Sequence, residues 1–167
     1  NAKGKTIEKG KNYVIYRVPW LRANLFLKLE KYPVLEFIYL FPGIFFASLI
    51  VLFKKREIKV IHAQGIVAGT ISVILKKIFN IKNIVSTHSV YNFPTSGFYH
   101  SFIKFVFKNC DHILTLSKQS ELEVQKLGIE HSRISVFTYW VNQKIFKPYS
   151  KDFTRKKLNL SPKDFIC

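Results

Sequence analysis

Lys59-Val60-Ile61-His62-Ala63-Gln64-Gly65 runs from a β-branched apolar stretch into a short polar tag that ends on glycine. The same grammar returns three times. Ile84-Val85-Ser86-Thr87 leads into His88-Ser89-Val90-Tyr91-Asn92, Asp111-His112-Ile113-Leu114-Thr115-Leu116 into Ser117-Lys118-Gln119-Ser120, and Ile134-Ser135-Val136-Phe137 into Thr138-Tyr139-Trp140-Val141-Asn142. Helix-length segments lie between the tags. Short β-branched runs alternating with helices predict βα units, an open parallel sheet covered on both faces and right-handed crossovers. In such a sheet ligands sit in the crevice at the carboxyl ends of the strands, which is where the tags fall.

Working outward, residues 1–12 are rich in Lys and Gly and read as a loop. Tyr13–Val18 alternates and reads as a strand ended by Pro19. Leu21, Leu25, Leu29 and Tyr32 predict a helix over Leu21–Tyr32. Ile66–Phe79 is predicted helical with Val67, Ile71, Ile74 and Ile78 along one side. Ser101–Lys108 is predicted helical with Phe102, Phe105 and Val106 inward, and Lys104 and Lys108 outward. Ser117 suits an N-cap, with Ser120 and Glu121 in the first turn of a helix to Leu127 that stops at Gly128. Residues 142–163 are polar and linker-like, with Phe146, Pro148 and Leu158 as docking points.

Val34–Phe53 is apolar almost throughout, long enough to cross a bilayer, and followed by Lys54-Lys55-Arg56. Glu36 and the interior Pro42-Gly43 do not decide between a membrane span and a buried helix, because membrane helices tolerate such breaks. The strand that follows within a few residues favours a helix packed on the sheet or lying at a membrane interface over one that crosses the membrane.

The chain carries 27 Lys and Arg against 10 Asp and Glu, a formal charge of +17, and a field of that size favours anionic partners. The basic residues are scattered, mostly Lys, and no zinc-finger spacing or aromatic ribonucleoprotein signature accompanies them, so no nucleic-acid partner is expected. An anionic membrane surface is expected instead. Apolar residues make up 48% of the chain, enough to fill a core and to exclude a disordered segment. Cys110 and Cys167 form no CxxC or metal pattern, so a reducing compartment is the default. His100, His112 and His131 lack metal-ligand spacing, and no carboxylate pair or Ser/His/Asp order points to hydrolysis. The chain has no Met, opens on Asn1 and stops at Asp164-Phe165-Ile166-Cys167, which resembles the start of a strand. An internal piece of a longer protein, truncated at both ends, is the expectation.

Taken in order, the tags IHAQG (61–65), STHSVYNF (86–93), DHILTLSKQSELEVQKLGI (111–129) and RISVFTYWVNQKIFKP (133–148) resemble the N-terminal domain of family 4 retaining glycosyltransferases of the GT-B fold. The resemblance covers roughly Tyr13 to Lys147. It implies an α/β, Rossmann-like parallel sheet flanked by helices, the N-terminal half of a GT-B architecture with its first βαβ unit incomplete. It further implies an acceptor-binding domain over residues 1–147, and a linker and the start of a nucleotide-sugar-binding domain over 148–167. The activity implied is transfer of a hexose from a nucleotide-sugar donor to a lipid-linked or polysaccharide acceptor, with retention, as in the building of cell-envelope polysaccharide. The donor is a substrate, bound mainly by the second domain, and neither cofactor nor metal is expected. This part alone is expected to be inactive. Two departures stand out: Gln64 where family members often have a second His, and Tyr139-Trp140-Val141-Asn142 where they usually carry Asn-Gly-Val-Asp.

The resemblance assigns His88 a contact with the transferred sugar near the reacting carbon, as the catalytic residue. A neutral imidazole can donate or accept a hydrogen bond there without a fixed charge. Gln64 and Gly65 are acceptor-side candidates, because glycine lets a ligand approach the backbone closely. Tyr91 and Asn92 suit stacking on a sugar face and bonding its hydroxyls. Ser117 and Lys118 open a helix whose N-terminus suits an anion. The intact enzyme is expected in the cytoplasm, peripheral on the inner face of the membrane. Two other readings remain open at this point: a non-catalytic basic module that binds membrane surfaces, and another Rossmann-like ligand-binding domain.

Overall fold

The computed structural model describes residues 6–18, 23–29, 31–87, 93–138 and 142–161. The chain enters through a hairpin of β1 (Ile7–Lys9) and β2 (Val14–Tyr16), paired antiparallel with Ile7 opposite Tyr16. The strand expected at Tyr13–Val18 therefore forms at its centre, but outside the parallel sheet, and its partner lies in the stretch expected to be a loop. A partner five residues away closes a far smaller loop than one across the sheet, so local pairing is entropically cheaper. The Gly10 N–H donates to the Tyr13 carbonyl at 2.9 Å, and Arg17 pairs with Glu8 at 2.6 Å.

Within the helix expected over Leu21–Tyr32, α1 spans Ala23–Leu29, and the next helix, α2, spans Pro33–Lys54. Tyr32 precedes a proline, which disfavours helical geometry at that residue, and it sits at φ −124°, ψ 88°. Pro33 then starts α2 at the helical position where its missing N–H matters least. α2 continues through Pro42.

Four parallel strands follow in sequence order across one sheet: β3 (Val60–Gln64), β4 (Lys82–Ser86), β5 (His112–Thr115) and β6 (Ile134–Val136). Register pairs His62 with Ile84, Val85 with Ile113, and Leu114 with Ser135. The connections are α3 (Gly65–Phe79), α4 (Gly97–Asn109) and α5 (Lys118–Lys126), the last followed by a 3-10 turn at His131–Arg133. This is the expected Rossmann-like α/β arrangement. The stretch read as linker carries a further helix, α6 (Lys151–Lys157), capped by the Ser150 hydroxyl, which accepts from the Phe153 N–H.

α3 separates two apolar clusters. On one side Ala63, Val73, Val85, Val106, Phe107 and Ile113 join sheet, α4 and α5. On the other, Ile71 and Leu75 meet Leu52 and the half-buried Phe41, Phe45 and Leu49 of α2. A helix buried on two sides departs from the single stripe predicted for it: Leu75 is fully buried and Ile78 is exposed. Gly69 lets α3 approach the sheet, since a Cβ there would stand 3.1 Å from a Val85 methyl. The inward face of α4 is Ile103, Val106 and Phe107, not Phe105, which is half exposed beneath the Lys77 ammonium. Positions 103, 106, 107 and 110 follow the i, i+3, i+4, i+7 rule that Phe105 breaks.

The amino ends of the strands are pinned by a reciprocal clasp. The Asn83 N–H donates to Asp111 Oδ2 at 2.9 Å, the Asp111 N–H donates to Asn83 Oδ1 at 3.0 Å, and Asn83 Nδ2 donates to Ser72 Oγ at 2.9 Å. Lys76 closes on Asp111 at 2.9 Å. Partial burial raises the Asp111 pKa, but the bonds from Lys76 and the Asn83 N–H, with the charge of Lys82, bring it below the usual carboxylate value. This end of the sheet is occupied by its own polar network.

Candidate functional site

Two strand-to-helix junctions at the carboxyl end of the sheet carry residues singled out in the sequence. At the first, β3 runs through Gln64 and α3 starts at Gly65 with no intervening loop. Gly65 adopts φ +82°, in the left-handed region, and the space a Cβ would occupy there is open to 4 Å. A non-glycine residue is disfavoured at that angle, so glycine permits the chain to turn directly from strand to helix. Gln64 makes no side-chain capping bond to the helix.

Gln64 and Gly65 form one wall of a cleft of about 700 Å³. The N-terminal half of α2 supplies Val34, Glu36 and Phe37, and the first turns of α4 supply Phe98 and Phe102. Phe37 meets Phe102 edge-on at 5.6 Å and stacks on Phe41 at 5.1 Å, which ties α2 to α4 along the cleft. The volume lies in the range of small-molecule sites, which are mostly apolar with a few polar groups that orient the ligand. Apart from Gln64, Glu36 and Tyr99, the lining is glycine, aliphatic or aromatic.

At the second junction, β5 passes through Leu116 to α5. Ser117 Oγ accepts from the Ser120 N–H at 3.1 Å and shares a 3.1 Å hydrogen bond with Ser120 Oγ. Lys118 Nζ donates to Glu121 Oε2 at 2.9 Å. Glu121 is nearly buried and also meets His131 Nδ1 at 2.8 Å. The Lys118 hydrogen bond and charge, with His131 beside it, hold the Glu121 carboxyl below its usual range. Ser117 and Lys118 thus have partners of their own, and the structure does not bring them to the cleft with Gln64 and Gly65.

Between the junctions, β4 ends at Ser86, whose hydroxyl lies 2.5 Å from His62 Nε2. The Thr87 N–H donates to the Leu114 carbonyl at 2.9 Å. His88, Tyr91 and Asn92 lie outside the described residues, as do Tyr139, Trp140 and Val141. Burial pushes the Cys110 thiol up to about 11 despite the nearby Arg133 guanidinium, which disfavours the reactive thiolate.

Glu36, Phe98 and Phe102 were not among the site residues read from the sequence. Glu36 did leave a signal, as the single acid in an otherwise apolar helix. Phe102 left none, since an aromatic residue in a basic, amphipathic helix reads as core, and Phe98 lies ahead of the helix expected over Ser101–Lys108, although α4 starts at Gly97.

The family model for Glycosyltransferase Family 4 matches residues 13–143, most of the chain. The chain belongs to glycosyltransferase family 4. Among solved structures, the crystal structure of Anabaena Alr3699/HepE in complex with UDP-glucose is similar, with a TM-score of 0.52 and 14% sequence identity over 66% of this chain. That likeness shows a shared GT-B-like fold. The chain spans 32% of the length of the HepE chain, about a third. No curated protein matches it.

Proposed function

We propose that this family 4 transferase domain holds the acceptor side of a retaining hexosyl transfer from a nucleotide-sugar donor to a lipid-linked or polysaccharide acceptor. The observation that carries the reading is the cleft at Gln64 and Gly65, at the carboxyl end of the sheet of a chain that belongs to a glycosyltransferase family. A UDP-glucose complex of a protein with the same fold supports a nucleotide-sugar donor. The donor is held mainly by a second domain following about residue 148, so residues 1–167 alone do not turn over. Catalysis rests on orienting the acceptor and on stabilising the leaving diphosphate, which requires no carboxylate pair in this half. His88 contacts the transferred sugar, and Tyr91 and Asn92 flank the acceptor. Ser117 and Lys118 serve a second, anionic part of the substrate. Neither cofactor nor metal takes part in this half.

The enzyme works at the cytoplasmic face of a membrane, in the building of an envelope polysaccharide. Residues spaced four or eight apart along α2 support membrane docking: Val34, Ile38, Phe46 and Ile50 are all more than half exposed. α2 is long and apolar enough to cross a membrane by length and composition. Packed against α3, it instead lies along the surface of anionic lipid, aided by Lys54, Lys55 and Arg56.

The test is turnover of a nucleotide-sugar panel by the full-length protein, wild type against His88→Ala. The expected result is a fall of about a hundredfold in kcat with nucleotide binding intact. No turnover with any donor would overturn the transferase reading for this protein.

A further inference from the structure

We propose that the cleft between α2, α3 and α4 holds the hydrocarbon chain of the acceptor, so that the acceptor is a lipid and not a free polysaccharide. This deepens the transferase reading above and rests on it. A polysaccharide site needs polar groups spread along its length, because each sugar hydroxyl withdrawn from water without a partner is costly. The cleft has the opposite distribution. Its polar side chains, Gln64, Glu36 and Tyr99, are few among apolar walls of Val34, Phe37, Phe98 and Phe102. Gln64 and Gly65 mark the carboxyl end of β3, where sugar chemistry belongs in this fold.

The rim is also apolar where it meets solvent. Phe98 is 86% exposed and Val34 65% exposed, which a water-facing polysaccharide groove does not require. That rim continues into the exposed face of α2 through Ile38. A lipid chain can therefore pass from a bilayer under α2 into the cleft without crossing water. The surplus of basic residues suits the phosphate that commonly joins a lipid to its sugar.

The experiment uses full-length protein with methyl β-glucoside and dodecyl β-glucoside, the latter below its micelle concentration, and a dodecyl analogue with a terminal photoreactive diazirine. Binding and nucleotide-sugar turnover are both read. The dodecyl compound should bind at least about tenfold tighter than the methyl compound, because apolar burial scales with chain length. Cross-links should map to residues 33–44 and 98–102. Ala68→Phe, at a position on α3 that lines the cleft, and Phe98→Ser, at an exposed position on its rim, should each remove most of that gain. Phe46→Ser, on α2 but away from the cleft, should leave the gain intact.

Equal affinity for the two glucosides, a gain that survives both cleft substitutions, or a gain lost equally in Phe46→Ser would overturn the proposal. The last result would assign the effect to general apolar surface. Turnover of soluble acceptors with no chain-length dependence would sink the tail site and spare the transferase. Chain-dependent binding without turnover would do the reverse.

Discussion

The two strand-to-helix junctions, Gln64-Gly65 and Ser117-Lys118, stand at the same end of one sheet and are built in opposite ways. The first leaves its helix start uncapped by a side chain, turns on a glycine at φ +82° and opens onto a cleft. The second satisfies itself, with a serine cap and a lysine held by Glu121. Both read from sequence as strand, polar tag and helix. The difference shows that a polar tag at a strand end can lie open to a cleft or bond to the protein's own helix, and that nearby internal partners decide which. Ser117 has Ser120 three residues on, and Lys118 has Glu121 three residues on. Gln64 is followed by Gly65-Ile66-Val67-Ala68-Gly69, which offers its side chain no polar side-chain partner within a turn.

The largest expected effect comes from forcing the open junction. Gly65→Val should destabilise the protein by about 2 kcal/mol, because the left-handed conformation penalises any Cβ and a β-branched one most. Gly65→Ala should lose about 1 kcal/mol. Since the space around that Cβ is empty, the penalty is backbone strain and not overlap, and denaturant midpoints of the two variants should keep this order. Both should also weaken acceptor binding.

Next is the closed junction. Ser117→Ala removes the cap on α5 and should reduce stability by about 1 kcal/mol, read in the same denaturation experiment. Ser117→Asp should restore most of it, since aspartate caps as well as serine.

A smaller effect comes from Glu121. Its carboxyl titrates below the usual value of 4.5, so its contribution to stability is complete above that pH and fades as pH falls through the folded value. Thermal melts from pH 6 downward should therefore fall more steeply for wild type than for Glu121→Gln, with the two curves converging in acid. A parallel slope would mean that the Lys118 pair contributes nothing.

The smallest effect is expected from Lys118→Ala, whose side chain is largely exposed and whose ion pair is screened by salt. Its loss of stability should fall below that of Ser117→Ala and vanish at high ionic strength. Its effect on substrate affinity should be smaller than that of Gly65→Val.

The parallel sheet was legible because period and punctuation agree: β-branched runs of four to six residues, each followed by a polar tag and a helix-length segment. The hairpin at residues 7–16 was half legible. Its second strand alternates, but the first, Ile7-Glu8-Lys9, is too short and too charged to stand out, and it exists as a strand only through its partner. The break between Tyr32 and the next helix was legible, because Pro33 disfavours helical geometry at the residue before it. Gln64 and Gly65 were legible as candidates because a tag at the end of a β-branched run is a local signal, and both line the cleft. The opposite wall was not found, since Glu36 and Phe98 are 28 and 34 residues from Gln64, and no local pattern connects them.

The sequence by itself determined the α/β class, the parallel direction of the strands and the family, because these follow from local periodicity and from tags at fixed spacing. Only the tertiary structure decided which face of α2 is packed and which is exposed, which junction is open, and which residues face each other across the cleft. Those depend on how α2 lies across α3 and meets α4 through Phe37 and Phe102, a matter of packing between segments far apart in the chain. An almost wholly apolar helix has no polar face to announce its orientation, so its neighbours set it.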